Sequence, residues 1–126
     1  MKLHQADTAG INLFTAYGED YVAVNHAPQR ENLIVLPDRI IPAWTEARVE
    51  RLSADDLTPL YGLGCQIILL GTGRRLRFPP PAVLKPFAAA GIGIEIMDLQ
   101  AACRTYNILA AEGRQVAAAL LFDREQ

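Results

Sequence analysis

The chain has 126 residues, of which 51% are hydrophobic and 21% charged, with a formal net charge of -2 at pH 7. This size and composition predict one globular domain over residues 1–126, with an ordered core at about 11–121 and short flexible termini, and exclude a disordered chain. The charge offers no overall attraction to nucleic acid, and no run approaches the ~18 apolar residues of a membrane span, so we expect a cytoplasmic protein that neither binds nucleic acid nor spans a membrane.

The first half of the chain is predicted to be rich in β-strands. Residues 11–17 and 21–25 are short apolar or β-branched runs, and the polar segment Gly18-Glu19-Asp20 between them indicates a hairpin. Residues 33–36 form a continuous apolar run that is typical of a buried strand. This run ends at Pro37-Asp38, which favour the centre of a turn, so the chain is expected to reverse there.

The strand that returns from this turn is expected over residues 39–44. Pro42 places it at a sheet edge or a bulge, because proline has no N–H to donate to a neighbouring strand. The alternation of residues 43–50 extends the strand to about Val49. Trp44, the single tryptophan, would lie on this strand. Its ordinary role is core packing, and an open edge makes it a candidate for a partner interface.

The second half alternates helices and strands. Ser53 and Asp56 have the spacing of a capping box, which predicts a short helix after them. That helix is expected to bury Leu57, Leu60 and Tyr61. Residues 66–70 are an uninterrupted apolar run, as expected for a strand that is covered on both faces.

Two more helices are predicted toward the C-terminus. The first starts near residues 80–81 and kinks or restarts at Pro86, which removes one backbone hydrogen bond. Residues 92–97 form the next strand, and Asp98 is a natural N-cap for the final helix. The apolar positions of that helix form a core stripe comprising Leu99, Ala102, Cys103, Tyr106 and Ala110.

These elements give the C-terminal half a β-α-β-α-β order. The strands at 66–70 and 92–97 are expected to pair in parallel through a right-handed crossover. The last strand, at 116–121, follows a short connection, and its orientation stays open between parallel and antiparallel. With the β-rich first half packed on the same core, the predicted fold class is a three-layer α/β domain.

A candidate ligand site lies where the strands at 66–70 and 92–97 end. Ligands of open α/β sheets bind at the carboxyl ends of the strands, and glycines, arginines and helix N-termini favour anions. The residues expected there are Gly71, Thr72, Gly73, Arg74, Arg75, Arg77 and Asp98. However, the dinucleotide fingerprint fails at Leu76, and Asp98 would repel an anion, so we favour a tight turn with solvated arginines.

The sequence contains no recognisable catalytic constellation. Neither H-E-x-x-H nor G-x-S-x-G occurs, and Ser53 is explained as a helix cap, which argues against an enzyme without excluding one. Cys65 and Cys103 are expected to be buried structural thiols rather than a disulfide or metal ligands, and no metal or cofactor is predicted. Tyr106 is a candidate proton donor, although its place in the core stripe favours a hydrogen-bonded structural role.

The polar residues of the final helix are candidates for a partner surface. One helical face carries Arg104, Asn107, Ala111 and Arg114, and another carries Thr105 and Glu112. The first set is suited to tying the helix to a neighbouring loop or to contacting a partner, and a salt-bridged solvent face fits the pattern equally well. Thr105 and Glu112, like Tyr106, are either structural or functional.

Several motifs together resemble one known family. Gly71-Thr72-Gly73 follows an apolar strand, and Asp38-Arg39 and Trp44 lie in the first half. The other motifs are Gly91-Ile92-Gly93-Ile94-Glu95, Ala102-Cys103-Arg104-Thr105-Tyr106-Asn107-Ile108-Leu109 and Glu112-Gly113-Arg114-Gln115-Val116-Ala117-Ala118-Ala119-Leu120. Over about residues 11–121 the chain is similar to the family of small uncharacterised domains that includes mitochondrial NADH dehydrogenase (complex I) assembly factor three and the adipogenesis-associated single-domain protein of animals. The run T-Y-N-x-L-x-x-E-G-R is its most specific element.

The resemblance implies a three-layer α/β fold with a mixed central sheet and no established enzyme activity. It also implies action through protein contacts, because the mitochondrial relative is an assembly factor. The bacterial and archaeal relatives are largely of unknown function, and some are thought to lie close to membrane-protein biogenesis. This chain lacks a mitochondrial targeting segment and therefore looks like a bacterial member. The prolines at 79–81 and Pro86 would reshape the helix beside the glycine loop.

Two functions are weighed on this basis. The leading hypothesis is a non-enzymatic protein-binding domain that assists the assembly of a respiratory or membrane complex. The alternative is a small-molecule or anion-binding protein, or an enzyme, that uses the Gly71-Thr72-Gly73-Arg74-Arg75 loop. The protein partner is unidentified, and the sequence leaves monomer and dimer open.

Overall fold

A mixed five-stranded sheet forms the centre of the fold. The computed structural model describes residues 10–123. The predicted flexible termini fall largely outside the described residues. The strand order in the sheet is β5-β4-β8-β6-β7. The strands are β4 (Leu33–Leu36), β5 (Arg39–Pro42), β6 (Ile67–Gly71), β7 (Gly93–Met97) and β8 (Val116–Leu120).

The pairing of β8 answers the question that the sequence left open. This strand pairs in parallel with β6 and antiparallel with β4, so both orientations apply, one on each side. The predicted parallel pairing of β6 with β7 is confirmed, with Ile67 opposite Gly93 and Gly71 opposite Met97. The mixed sheet and the α/β fold are therefore as predicted.

A second, three-stranded sheet is built from the N-terminal segment. It comprises β1 (Phe14–Tyr17), β2 (Val22–Val24) and β3 (Ala27–Gln29), and the predicted β1–β2 hairpin is confirmed. The strand β3 was not predicted, because it contains Pro28 and follows a turn without glycine. Asn25 and His26 both adopt positive φ there, at 50° and 74°, the backbone that a two-residue hairpin turn requires.

The edge strand β5 is shorter than predicted. It lies at the sheet edge, as Pro42 indicated, but it ends at Pro42 and does not continue to Val49. Ala43 takes a left-handed conformation with φ of 50°, which redirects the chain away from the sheet. The next residue, Trp44, is buried, and its indole N–H donates to the carbonyl of Leu120 at 3.1 Å. Val49–Arg51 is a turn of 3-10 helix.

In the described part of the chain, three α-helices complete the fold: α1 (Ala54–Leu57), α2 (Lys85–Ala89) and α3 (Leu99–Ala111). Helix α1 begins with the predicted capping box of Ser53 and Asp56 and continues into the 3-10 helix Thr58–Leu63. Leu57 and Leu60 are buried as predicted, but the predicted burial of Tyr61 was wrong, because this residue is 38% exposed. Its ring stacks on that of Phe87 with 4.4 Å between the ring centroids.

The later helices follow the predicted start signals. Pro81–Val83 is a separate 3-10 turn, and helix α2 restarts with Pro86 in its first turn. The carboxylate of Asp98 accepts the N–H of Ala101 at 2.8 Å and caps α3. No helix within residues 10–123 is long and apolar enough to cross a membrane.

The central sheet separates two apolar cores, which gives the predicted three layers. On one face, α3 and the small sheet pack on the sheet, and the whole predicted stripe of α3 is buried there. On the other face, the short helices and Trp44 pack on it around Phe87. The sheet itself is covered on both faces, as the apolar run of β6 predicted.

Candidate functional site

The loop after β6 meets the start of α3, as the topology predicted. The N–H of Leu99 donates to the carbonyl of Gly73 at 2.8 Å, next to the cap residue Asp98. A small cleft of about 150 Å³ lies at this junction. Its lining comprises Gly18, Glu19, Gly73, Arg74, Asp98, Leu99 and Gln100. The structure thus brings together Gly73, Arg74 and Asp98, three of the residues predicted to form a ligand site.

Two arginines of this loop, Arg74 and Arg77, contact carboxylates of the chain itself. The backbone N–H of Arg74 donates to Asp123 at 3.1 Å, and its Nε lies 3.5 Å from the same carboxylate. The side chain of Arg74 also lies 3.7 Å from Glu19. Arg77 is more buried, and its guanidinium pairs with Asp123 and, at 3.4 Å, with Glu50. The positive charges of Arg74 and Arg77 are therefore balanced by carboxylates from three other segments.

The remaining polar groups of the loop hold its shape. The hydroxyl of buried Thr72 donates to the carbonyl of Arg75 at 2.8 Å and accepts the N–H of Arg77 at 3.1 Å. Gly73 has φ of +95°, and a Cβ at this position would meet the carboxylate of Asp123. Gly71 is buried at the strand end, and Arg75 is exposed. The contacts of Arg74 and Arg77 with Asp123 therefore join the loop after β6 to the segment after β8, and we call this arrangement, with Glu50, the clasp.

The carboxyl group of Glu50, which pairs with Arg77, has a lowered pKa. Its pKa lies below the ordinary glutamate value, first because of a hydrogen bond from its own backbone and also because of the charge of Arg77. Glu50 therefore stays ionised and able to pair with Arg77 over a wider pH range.

Two polar residues of α3 anchor the N-terminal segment. The hydroxyl of Tyr106 donates to the carbonyl of Asn12 at 2.9 Å, and its ring contacts Phe14 edge-on at 5.2 Å. The amide of Asn107 accepts the N–H of Phe14 at 2.9 Å and donates to the carbonyl of Phe14 at 2.8 Å. Burial raises the pKa of Tyr106, with smaller contributions from Cys65 and Asp38, so the phenol stays protonated.

The solvent side of α3 carries a different set of side chains. Arg104 and Glu112 are exposed, and Thr105 is half-buried. Between them Ile108 is 60% exposed, which is unusual for a large aliphatic residue in the middle of a helix. Ile108 was not singled out from the sequence, although its place outside the core stripe is readable from the helical period.

The cysteines are free thiols with raised pKa values. Burial raises the pKa of Cys103 to about 12, and it also raises the pKa of the half-buried Cys65, against a smaller lowering by Arg39. Among residues 10–123, no cluster of histidine, cysteine and carboxylate side chains is arranged to hold a metal ion.

A larger cavity lies at the opposite edge of the sheet and was missed from the sequence. It has a volume of about 460 Å³ and opens at the amino ends of β6 and β8. Its lining comprises Ile11, Leu36, Pro37, Asp38, Arg39, Leu63, Gly64, Cys65, Ala110, Gly113, Arg114 and Gln115. Asp38-Arg39 and Gly113-Arg114 both belong to motifs of the family resemblance, which was the signal available, but no local pattern shows that they meet.

Comparisons with known proteins agree with this fold. Residues 14–121 match the family described as "Protein of unknown function (DUF498/DUF598)". A crystal structure of a Bordetella parapertussis protein is similar with a TM-score of 0.83 and 40% identity, covering 91% of this chain and 98% of that chain.

Two sequence relatives show the same relationship. A zebrafish (Danio rerio) protein named NADH dehydrogenase [ubiquinone] 1 alpha subcomplex assembly factor 3 is 37% identical over 89 residues, which is 69% of this chain and 51% of that protein. An uncharacterised protein of Rhodobacter capsulatus is 33% identical over 115 residues, which is 90% of this chain and 86% of that protein. This chain thus spans about half the length of the zebrafish assembly factor. The match over residues 14–121 confirms the resemblance seen in the sequence motifs: the chain belongs to the DUF498/DUF598 family.

Proposed function

We propose that this chain is a non-enzymatic protein-binding module that assists the assembly of a respiratory or membrane complex from the cytoplasm. One observation carries the proposal: 69% of the chain aligns at 37% identity with a protein that is named as a complex I assembly factor. The aligned share is large enough to include most of the fold described above. An assembly factor acts by binding subunits, so the proposal requires a partner surface.

We place this surface on the solvent side of α3. Ile108 is the large apolar side chain most exposed on this helix, and the exposed Arg104 lies one turn before it. Arginine is enriched at protein interfaces, and an exposed apolar side chain gains free energy when a partner removes it from water. On the adjoining face, Tyr106 and Asn107 fasten the helix to the N-terminal segment. These hydrogen bonds hold the helix in place, which lowers the ordering cost when a partner binds its solvent side.

Deleting the gene in its own organism tests the role. We expect a loss of assembled NADH dehydrogenase or of another membrane complex, measured by native electrophoresis with activity staining. Expression of the wild-type chain should restore the complex. A deletion strain with a normal content of its respiratory and membrane complexes would overturn the proposal.

A matched pair of variants tests the surface. Ile108→Asp should fail to restore the complex, whereas Leu76→Asp should restore it, because Leu76 is 52% exposed but lies on the loop after β6. Both purified variants should melt within a few degrees of the wild type, since neither side chain is in the core. Full restoration by Ile108→Asp would show that the partner surface lies elsewhere.

A further inference from the structure

The cavity of about 460 Å³ lies at the edge of the sheet where β6 and β8 begin. Gly64 precedes β6 and Gly113 precedes β8, and both adopt left-handed backbone with φ of +76° and +84°. A side chain at either position would be strained, and the space next to each glycine is open. The chain therefore turns away from the sheet at two neighbouring strands. The volume falls within the ~300–1,000 Å³ of small-molecule sites.

Apolar side chains from both cores line the interior of this cavity. Ile11 and Ala110 belong to the core beneath α3, and Leu36 and Leu63 belong to the core on the other face. The half-buried Cys65 adds a thiol that its environment keeps protonated and uncharged. An apolar group of a ligand that enters here would remove apolar surface from water on both sides.

Two arginines stand at the rim of the cavity. The guanidinium of Arg39 donates to the carboxylate of Asp38 at 2.9 Å and to the carbonyl of Leu63 at 3.2 Å. Arg114 follows the end of α3 and is exposed, and it forms no ion pair within residues 10–123. The three charged lining residues, Asp38, Arg39 and Arg114, sum to a single positive charge.

We propose that this cavity binds a small amphipathic monocarboxylate, with its carboxylate on Arg114 and Arg39 and its apolar part against Leu36, Leu63 and Ala110. Guanidinium groups match the planar geometry of a carboxylate and form charge-assisted hydrogen bonds with it. The single net positive charge suits a monoanion, and Asp38 disfavours a phosphate dianion. This site is separate from the partner surface on α3 and does not depend on the proposed assembly role.

Binding to the purified protein tests this inference. Hexanoate and phenylacetate are titrated by calorimetry and by NMR of ¹⁵N-labelled protein, beside the uncharged hexanamide and phenylacetamide. We expect saturable binding of the acids, with shifts at Gly64, Cys65 and Gly113, and affinities for the amides that are at least about tenfold weaker. Equal binding of acid and amide, tighter binding of inorganic phosphate, or no binding of any probe would overturn the proposal.

Two arginine variants assign the contact. Arg114→Gln should weaken acid binding by about tenfold or more and leave hexanamide unaffected. Arg51→Gln removes an exposed arginine outside the cavity and should bind the acids like the wild type. Because Arg114 is exposed, its variant is expected to fold, which a thermal melt checks. Unchanged acid binding by Arg114→Gln would overturn the assignment, whatever the outcome of the assembly experiments.

Discussion

At the scale of single residues, the polar side chains of this fold act largely as backbone anchors. Asn107 binds both backbone groups of Phe14, which lies 93 positions earlier. Asn32 is buried and joins the carbonyl of Thr45 to the N–H of Phe122. The sequence marked Asn107 as a polar residue on a helix, but it could not name a partner so far away along the chain. Asn32 followed no pattern and was missed.

Replacing Asn107 with leucine tests its anchoring role. The variant leaves the N–H and carbonyl of Phe14 without their side-chain partner, and each buried, unpaired backbone group costs about 1–3 kcal/mol. We expect Asn107→Leu to lower the free energy of unfolding by at least about 1 kcal/mol in urea titrations. Arg104→Ala, on the solvent side of the same helix, should change it by less than about 0.5 kcal/mol. Equal losses in the two variants would contradict the anchoring role.

At the scale of elements, local signals predicted most of the helices and strands. The caps at Ser53 and Asp98, the buried-strand composition of β6 and the stripe of α3 depend on neighbouring residues, and all are found. The two errors in strand bounds lie where residues other than glycine adopt positive φ. The turn before β3 uses His26 with positive φ, and Ala43 ends β5 in the same way. Asparagine and histidine take positive φ more often than alanine does, so residue type signals the turn before β3 only weakly and does not signal Ala43.

The capping box of α1 makes part of the stability depend on pH. Partial burial tends to raise the pKa of Asp56, but hydrogen bonds from the N–H of Ser53 and from the hydroxyls of Thr45 and Ser53 outweigh it, and the net pKa is lowered. A lowered pKa in the folded state means that the ionised form stabilises the fold. This contribution is complete above the unfolded value of 3.8 and is lost as pH falls through the folded pKa.

Asp56→Asn tests this linkage. At about pH 7 the variant should be less stable than the wild type by about 1 kcal/mol, as for a weakened cap. The difference should shrink on acidification below 3.8, because the wild type loses its ionised carboxylate and the variant has none to lose. Urea titrations from about pH 7 to about pH 3 measure it. Asp55→Asn, at the preceding exposed position, is the control, and the same pH dependence there would contradict the assignment to Asp56.

At the scale of the whole molecule, the two ends of the parallel strands differ in how much of their structure could be predicted from the sequence. The α/β order, the parallel pair and the core could be predicted from periodicity, and so could the meeting of the β6 loop with α3. The ion pairs at that edge could not be predicted, because Glu50 and Asp123 are remote from Arg77 in sequence. The cavity at the other edge depends on Asp38-Arg39 approaching Gly113-Arg114, a juxtaposition that only the register of β4 with β8 creates.

The clasp at the carboxyl edge is expected to stabilise the whole fold through Arg77. Its guanidinium joins the loop after β6 to Asp123 after β8 and to Glu50 after β5. The side chains of Arg77 and Asp123 are only 19% and 18% exposed, so removing one partner leaves the other charge poorly solvated. Arg74 contacts the same carboxylate, but its side chain is 47% exposed. The two arginines therefore differ in burial while sharing a partner.

Methionine at each position separates burial from charge, because it keeps the apolar stem and removes the guanidinium. Arg77→Met should lower the free energy of unfolding by about 1.5–3 kcal/mol, the range for a lost hydrogen bond to a charged group. Arg74→Met should lower it by less than about 1 kcal/mol, as for exposed ion pairs, and that loss should fall further in high salt. In a background of Asp123→Asn the effect of Arg77→Met should shrink, since the charge it compensates is gone. If both methionine variants lost the same stability, or if Asp123→Asn left the Arg77 effect unchanged, Arg77 would be one more solvated arginine of the loop, as the sequence alone had favoured.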